Sequence, residues 1–548
     1  MVGHPGRLPL RRQVGPRRDP PISLSSLRRH TLGDVLRRTA TRTPAGLAIR
    51  CGQIAWSYAD FDQLCDVLAV NCAAQGIGPG DRVAILARNS HAFIAMRFAL
   101  ARLGAVLVPI NFMLKAAEAA YILNHSEAMA LCIDAEFVDL AREVAQRSPS
   151  LQRLIWLPSE GPTEPPAGML TFEELLTTPQ RGLQLPDTVD HESLAQISYT
   201  SGTESLPKGA MLTHGAVLCE FVSSMLAGEM TAQDRMLHAL PLFHCAQLDA
   251  FMGPCLYAGA TNVITSRPTP ENLLGLIEQH QITSLFLPPT VWITLLRSRA
   301  FDSRALRTLK KGYFGASIMP LEVLRELQAR LPGLRLWNLY GQTEITGVAT
   351  ALQPEDQLRK PGSCGRAVLN VETRVVDESG RSVAPGEVGE VVHRSPQLMR
   401  GYFRDEERTR SAFSNGWFHS GDLATIDEEG YITIVDRKKD MIKSGGENVA
   451  SREVEDAIYR LEQVSEVAVI GVPHPLWIEA ITAVITVKPG TRLSEQAVIG
   501  HCKQHLADFK APKSVIFVDA LPKSASGKLL KRVLREQFVD TNPREGGA

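Results

Sequence analysis

Between Tyr199 and Ala210 the chain reads Tyr-Thr-Ser-Gly-Thr-Glu-Ser-Leu-Pro-Lys-Gly-Ala, a segment crowded with hydroxyls, glycines and one lysine. It follows a strand-like run over 195–199. A loop of this kind offers backbone N–H groups, Ser and Thr hydroxyls and an ammonium to the oxygens of a polyphosphate. It is not a Walker A loop, because a second glycine directly before Lys208 and a Ser or Thr directly after it are both missing. Taken alone, the segment favours phosphate binding over an ordinary polar turn.

Further segments carry chemistry-bearing side chains. Tyr340-Gly-Gln-Thr-Glu344 follows another strand-like run and sets a carboxylate beside two hydroxyls. His419-Ser-Gly-Asp422 precedes Ile434-Val-Asp-Arg-Lys-Lys-Asp440. Lys443-Ser-Gly-Gly-Glu-Asn448 comes next, and Pro522-Lys-Ser-Ala-Ser-Gly-Lys528 lies near the end. A carboxylate such as Asp422 can accept both hydroxyls of a ribose. Glu344 can hold a hard cation, since Mg²⁺ takes oxygen ligands and is commonly shared with phosphates. A lysine on a Ser/Gly loop is a point charge suited to phosphate. Bland alternatives stand beside each: a core aromatic for Tyr340, a surface ion pair for Arg437, a loop residue for His419.

The elements that must position these groups alternate between strand and helix. Short β-branched or apolar runs recur at 82–86, 106–110, 130–134, 153–157, 261–265, 284–287 and 335–340, with helical patterns such as 61–75 and 322–330 between them. That alternation implies crossover units and helix-flanked sheets. After Glu372 the texture shifts to hairpins, with strands at 372–377 and 389–394. The last segment reads as helix 451–462, strands 466–472 and 480–487, helix 494–507 and strand 514–519, a unit of about 110 residues at the low end of domain size. The stretch 158–168 is a Pro- and acid-rich loop, and 76–80 is a glycine turn that precedes a strand instead of linking strand to helix, against a dinucleotide reading. Residues 1–30 hold seven arginines, five prolines before Ile22 and one acid, Asp19. The prolines exclude an amphipathic transit helix, so the stretch reads as a disordered extension. The expected division is 1–30, a large unit over 31–437 and a small one over 438–548.

Composition narrows the classes. Lys+Arg and Asp+Glu both number 59, so the formal charge is zero and no global field draws the chain to nucleic acid. The apolar runs are far shorter than the 18–20 residues that span a bilayer. Nine scattered cysteines without a Cys-x-x-Cys pair fit a reducing cytosol and read as packing residues. No His-Glu-x-x-His or Cys/His cluster suggests zinc.

Together and in this order, the five motifs resemble the acyl-adenylate-forming superfamily of acyl-CoA synthetases, amino-acid adenylation domains and beetle luciferases, over about residues 32–532. The resemblance implies an α/β fold: a large N-terminal unit of helix-flanked sheets with a small barrel-like subdomain, and a small mobile C-terminal α+β domain. It implies activation of a carboxylic acid by Mg²⁺ and ATP to acyl-AMP with pyrophosphate release, then transfer to a thiol, with no prosthetic group. By motif match, Thr200, Ser201, Gly202, Thr203 and Lys208 cover the β- and γ-phosphates, and Thr200 and Glu344 position Mg²⁺. Gly315 and Ala316 belong to the adenine-side loop, Tyr340 stacks on the base beside Gly341, and Thr343 touches the α-phosphate. Asp422 and Arg437 hold the ribose, and Lys443 belongs with the nucleotide contacts. Lys528 bridges the acyl carboxylate and the α-phosphate. One departure stands out: Glu204-Ser205 occupies the place of the common Thr-Gly pair.

The resemblance also suggests partners. His244 matches the position that gates the acyl pocket, and Gly445 and Gly446 lie in the stretch that meets pantetheine when the C-terminal unit turns about Lys439. With no carrier domain after Lys528, free CoA is the expected acceptor, with a separate carrier protein as the alternative. The expected pocket walls, 243–251, 286–292 and 345–348, are mainly apolar. A medium- to long-chain fatty acid is the first expectation and an aryl acid the second. A luciferase-like oxygenase and a non-catalytic acyl/AMP-binding regulator are the contrasting classes, and the regulator is disfavoured because Glu344 and Lys528 are both present. A cytoplasmic enzyme, with a homodimer admitted, completes the reading. Replacing Lys528 by Ala is expected to lower acyl-AMP formation by about 10²–10³, the usual loss for an electrostatic contact to a transition state. Thioester formation from supplied acyl-AMP should survive, and equal loss of both half-reactions would refute that role.

Overall fold

The computed structural model describes residues 27–160, 164–177, 185, 188–200, 207–301, 306–315, 319–438, 440–444, 447–474, 476–523 and 529–538. The expected α/β alternation resolves into two large sheets. In the nine-stranded one the order is Arg366–Ala367, Thr350–Leu352, Arg335–Tyr340, Lys311–Gly315, Ser284–Phe286, Arg235–His238, Thr261–Ile264, Leu47–Cys51 and Ile54–Ser57. Its interior neighbours are parallel, and antiparallel strands close both ends. The seven-stranded sheet runs Leu170–Thr171, Arg153–Trp156, Ala130–Ile133, Arg82–Leu86, Val106–Pro109, Leu194–Thr200 and Lys208–Thr213. Only its last pair is antiparallel.

A helical layer lies between these sheets. In helix His91–Leu103 all thirteen residues are buried, and its Phe93, Ile94 and Phe98 share one core with Ile49 and Ile264 of the first sheet and Val83 and Ile85 of the second. A helix apolar all round has no solvent face to betray its period, which is why the sequence pattern did not announce it. Ser90 caps it and Gly104, at φ +78°, ends it. The helix's two arginines are both paired. Arg102 is held by Asp62 and by Asp66 at 2.8 Å, and Arg97 by the fully buried Asp249.

The subdomain after Glu372 is a five-stranded antiparallel sheet built from Glu372–Val376, Gly389–Arg394, Trp417–Ile426, Phe413–Ser414 and Ile432–Arg437. The final unit pairs Val464–His474 with Ile478–Val487, which Ser514–Phe517 joins in parallel. Helices Ser451–Ile458 and Glu495–His505 pack beside it. The glycine-rich stretch is flanked by two short antiparallel strands, Ile442–Ser444 paired with Glu447–Val449. Three-residue strands are too short to show alternation. No helix among the described residues is long and apolar enough to cross a membrane.

Two expectations are adjusted. The end of the Arg-rich extension belongs to the fold: Arg29 donates to Asp34 at 2.8 Å, and Arg38 donates to the Arg29 carbonyl at 2.7 Å, bracing the capping box of helix Leu32–Arg42. The 158–168 loop is tethered as well, since Glu160 accepts from the hydroxyls of Thr265 and Ser266. All nine cysteines are free and eight are buried.

Four histidines, His91, His214, His238 and His393, are buried, and desolvation lowers each to about 4. They fold neutral, whereas the unfolded chain protonates them below about pH 6.5. The stability that depends on their staying neutral is therefore fully present above pH 6.5 and is lost as pH falls toward 4. The denaturant midpoint should fall steadily from pH 7 to 4.5, and a flat profile would contradict this.

Candidate active site

The hairpin Leu194–Thr200 and Lys208–Thr213 sets Thr200 directly opposite Lys208. Ser201, Gly202 and Thr203, with Glu204 and Ser205, lie outside the described residues. Gly209 faces Tyr199, and a Cβ there would meet the Tyr199 ring at 3.0 Å and Ile197 at 2.7 Å. Tyr199 in turn bonds His125 through its hydroxyl at 2.7 Å. The strand leading into the loop is thereby pinned on its outer side.

The acidic turn grows from strand Arg335–Tyr340. The chain doubles back so that Ala349 N–H donates to the Tyr340 carbonyl at 2.7 Å, and Tyr340 pairs with Thr350. A Cβ on Gly341 would stand 1.9 Å from the Gly347 carbonyl, so no side chain fits there. At the tip, Thr343 and Glu344 form a 3-10 turn. Gly315 ends the neighbouring strand, where a Cβ would lie 2.4 Å from the Leu339 carbonyl. Ala316 is not among the described residues.

Segment 399–403 fastens these parts together. Met399 N–H donates to the Glu344 carbonyl at 2.8 Å, Arg400 N–H to Met211 at 2.9 Å, Met211 N–H to Gly401 at 2.9 Å and Phe403 N–H to Gly209 at 2.7 Å. Its Tyr402 hydroxyl donates to Glu344 Oε1 at 2.9 Å, and the ring lies 4.9 Å from Lys208 Nζ. Burial, with the Glu344 carboxylate beside it, pushes the Tyr402 phenol far above its ordinary value. Tyr402 thus stays a donor at any working pH. Sequence reasoning missed it: nothing in Arg400-Gly-Tyr-Phe-Arg404 marks a tyrosine that acts across 58 residues.

A second group forms at Asp422. Strands Trp417–Ile426 and Ile432–Arg437 place Asp422 directly opposite Arg437, and the guanidinium Nε stands 3.2 Å from Asp422 Oδ1. Tyr340 donates its hydroxyl to Asp422 Oδ2 at 2.7 Å. Burial and that carboxylate hold the Tyr340 phenol well above its usual range. His419 is paired with Glu390 at 3.2 Å, and Glu390 also accepts from Gly421 N–H.

The expected acyl-side residue reaches the same turn through its neighbour. His244 Nδ1 accepts from Ala246 N–H at 3.1 Å and opens the short helix Cys245–Gln247. Cys245 Sγ lies 3.4 Å from the Thr343 hydroxyl, and burial lifts that thiol to about 12. It is a packing group with no thiolate character.

The structure therefore brings together Lys208, Thr343, Glu344 and His244 on one side and Tyr340, Asp422 and Arg437 on the other, with Thr343 and Tyr340 three residues apart. Lys443 is exposed on the 442–444 strand, its N–H donating to Glu479 at 2.7 Å. Among the described residues, none of its hydrogen bonds or ion pairs reaches either group. Lys439, Gly445, Gly446 and Lys528 fall outside the described residues. No cluster of three or more His, Cys, Asp or Glu among the described residues could hold a metal by itself.

Two family models match the chain: the AMP-binding enzyme model over residues 36–403, which spans Lys208, Tyr340, Thr343 and Glu344, and the AMP-binding enzyme C-terminal domain model over 453–528, with Asp422 and Arg437 lying between the two. The chain belongs to the AMP-binding enzyme family. It is an AMP-forming acid–thiol ligase with the fold of the adenylate-forming superfamily. It is 36% identical over 515 residues to a feruloyl-CoA synthase of Amycolatopsis sp, covering 93% of this chain and 100% of that one. It is 35% identical over 518 residues to the long-chain-fatty-acid–CoA ligase FadD13 of Mycobacterium tuberculosis, covering 94% and 99%. The crystal structure of the anthranilate CoA ligase AuaEII with anthranoyl-AMP superposes with a TM-score of 0.85 at 26% identity, over 93% of this chain and 97% of that one.

In this AMP-binding enzyme, Tyr402→Phe keeps the ring over Lys208 and removes the hydroxyl from Glu344. A hydrogen bond to a charged group is worth about 1.5–3 kcal/mol, so kcat/KM for ATP should fall roughly ten- to a hundredfold. Unchanged kinetics would show that the contact is idle.

Proposed function

We propose that the chain joins a compact, apolar carboxylic acid, an aryl acid before a long fatty acid, to CoA through acyl-AMP. The size assignment is carried by Phe251. Its ring stacks on Phe286 at 4.3 Å between centroids, 19° from parallel, and both belong to one buried core with Trp292, Ile345 and Val348. Residues of the segments expected as pocket walls thus pack against one another. A long chain requires these aromatics to move apart, whereas a compact acid beside His244 does not. Among the relatives, feruloyl-CoA synthase and FadD13 stand on opposite sides of this choice at nearly equal identity, so they do not decide it.

Residue roles follow from geometry and resemblance. Lys208 and the hairpin hydroxyl of Thr200 meet phosphate oxygens. Glu344 fits a hard cation: Tyr402 occupies one carboxylate oxygen, and the surrounding donors are oxygens with no thiolate or imidazole cluster. Mg²⁺ bound there with ATP would neutralise phosphate charge. Asp422, oriented by Tyr340 and Arg437, presents carboxylate oxygens to a ribose. The reaction needs no general base from the protein, because the attacking group is already a carboxylate. For transfer, the C-terminal unit turns about Lys439 and brings the 442–449 hairpin to the site, with free CoA as acceptor. Asp436 accepts from the Ser451 N–H at 2.7 Å and its hydroxyl at 2.6 Å. These bonds cross the pivot and must break in such a turn.

An acid panel with ATP, Mg²⁺ and CoA, scored by pyrophosphate release and thioester formation, tests the reading. Cinnamate- and benzoate-type acids should exceed C12–C16 acids in kcat/KM by tenfold or more. Phe251→Ala should narrow that gap by admitting longer chains. A wild-type preference for C12–C16 acids would overturn the size assignment and favour the fatty-acid reading.

A further inference from the structure

The helix that follows the phosphate hairpin, His214–Ala227, carries one acid in an otherwise uncharged, mostly apolar stretch: Glu220. It is fully buried, and no cation is among its hydrogen-bond partners. Ser224 donates its hydroxyl to Oε1 at 2.7 Å, and Val348 N–H donates to the same oxygen at 3.0 Å. Gln397 Nε2 donates to Oε2 and, at 3.0 Å, to the Val348 carbonyl. Ser223 donates to Gln397 Oε1 at 2.6 Å, and Thr346 donates its hydroxyl to the Gln397 carbonyl at 2.6 Å.

These contacts converge on a strained piece of backbone. Thr346 adopts φ +66°, a rare conformation for a β-branched residue, and Gly347 follows at φ +152°. A Cβ on Gly347 would stand 2.9 Å from Glu220 Oε1. Strain of this sort persists only where the surroundings over-determine it. The strained pair lies immediately after Thr343–Ile345. Gln397 stands two residues before Met399, whose N–H holds the Glu344 carbonyl. One carboxyl therefore touches the helix after Lys208, the loop after Glu344 and the strap that carries Tyr402.

We propose that Glu220 is a positioning residue for adenylation: through Val348 and Gln397 it fixes the 343–348 turn and the 399–403 strap, so that Glu344 and Tyr402 stand together beside Lys208. Burial raises the Glu220 carboxyl well above its ordinary range, with buried Asp249 adding in the same direction. The group therefore acts as a local hydrogen-bonding clamp and is no counter-ion to substrate. The proposal rests on Glu344 as the magnesium-side carboxylate, and its test separates the two.

The test measures pyrophosphate exchange against Mg²⁺ concentration, and thioester formation from supplied acyl-AMP, in the full chain. Glu220→Leu and Gly347→Ala displace the clamp in different ways, and Glu344→Ala removes the carboxylate itself. The expected result is a Mg²⁺ half-saturation at least fivefold higher in all three. Thioester formation from acyl-AMP should stay within threefold of wild type in Glu220→Leu, and Glu220→Gln should recover part of the loss. If Glu220→Leu does not fold, Gly347→Ala and Glu220→Gln carry the comparison. A raised Mg²⁺ requirement in Glu344→Ala alone overturns the positioning role. An unchanged requirement in Glu344→Ala overturns the metal reading and the proposal with it. Equal loss of both half-reactions in the clamp variants reduces Glu220 to a stability residue and also overturns the proposal.

Discussion

Four backbone hydrogen bonds along 399–403 hold the site together. They join the Lys208–Thr213 strand of the seven-stranded sheet to the Glu344 turn, which grows from the nine-stranded sheet. The lysine and the carboxylate belong to different sheets and lie 136 positions apart in the sequence. Neither sheet alone fixes their separation. On the proposed reading a polyphosphate with its cation needs both at a set distance, and a short strap bonded on both sides supplies it without relying on flexible side chains. Tyr402 extends the same logic to the side-chain level, with its hydroxyl on Glu344 and its ring beneath Lys208. Preorganisation of this kind is where electrostatic catalysis gains most, because the dipoles need not reorient as charge develops.

Two ion pairs tie further segments to this framework. The Arg97–Asp249 pair, with Gln196 donating to Asp249 at 2.7 Å, fixes the segment after His244 to the strand that leads into Thr200. Asp249 lies in a π-turn over Leu248–Met252, a local irregularity often found near functional sites. Removing one member of such a buried pair typically costs about 3–5 kcal/mol, so it couples fold stability to the position of the segment after His244. The Asp422–Arg437 pair is cheaper to build: it is a direct cross-strand neighbour pair in one hairpin, whose Asp427–Gly430 turn sets the register.

Much of this was legible in the residues. Strands at Arg82–Leu86, Arg335–Tyr340 and Gly389–Arg394 fall where β-branched and apolar runs put them, because short buried strands announce themselves by composition. Glu344, Asp422 and Arg437 could be singled out as candidates because their motifs are local. Tyr402 and Glu220 could not be found that way, since their meaning lies in contacts with distant segments. For Glu220 one signal existed: a single acid in Ala216-Val-Leu-Cys-Glu-Phe-Val222 has no solvent face to occupy, so it must be buried and hydrogen-bonded. Tyr402 offered no such signal. The 442–449 hairpin was hidden by its brevity, and helix His91–Leu103 by its lack of a polar face. The expected pocket walls are harder to read, because apolar residues in three segments are equally the signature of a wall and of a core, and Phe251 and Phe286 stack within a buried cluster.

The central claim is that the strap assembles the site before any substrate binds. Amide hydrogen exchange of the ATP-free protein tests it at Met211, Met399, Arg400 and Phe403, the four donors of the strap. The account predicts that these amides are already protected to the level of the flanking sheet strands, with little further slowing when Mg·ATP is added. Exchange at loop-like rates until Mg·ATP is present would contradict it, because the nucleotide, and not the chain, would then be what brings Lys208 and Glu344 together.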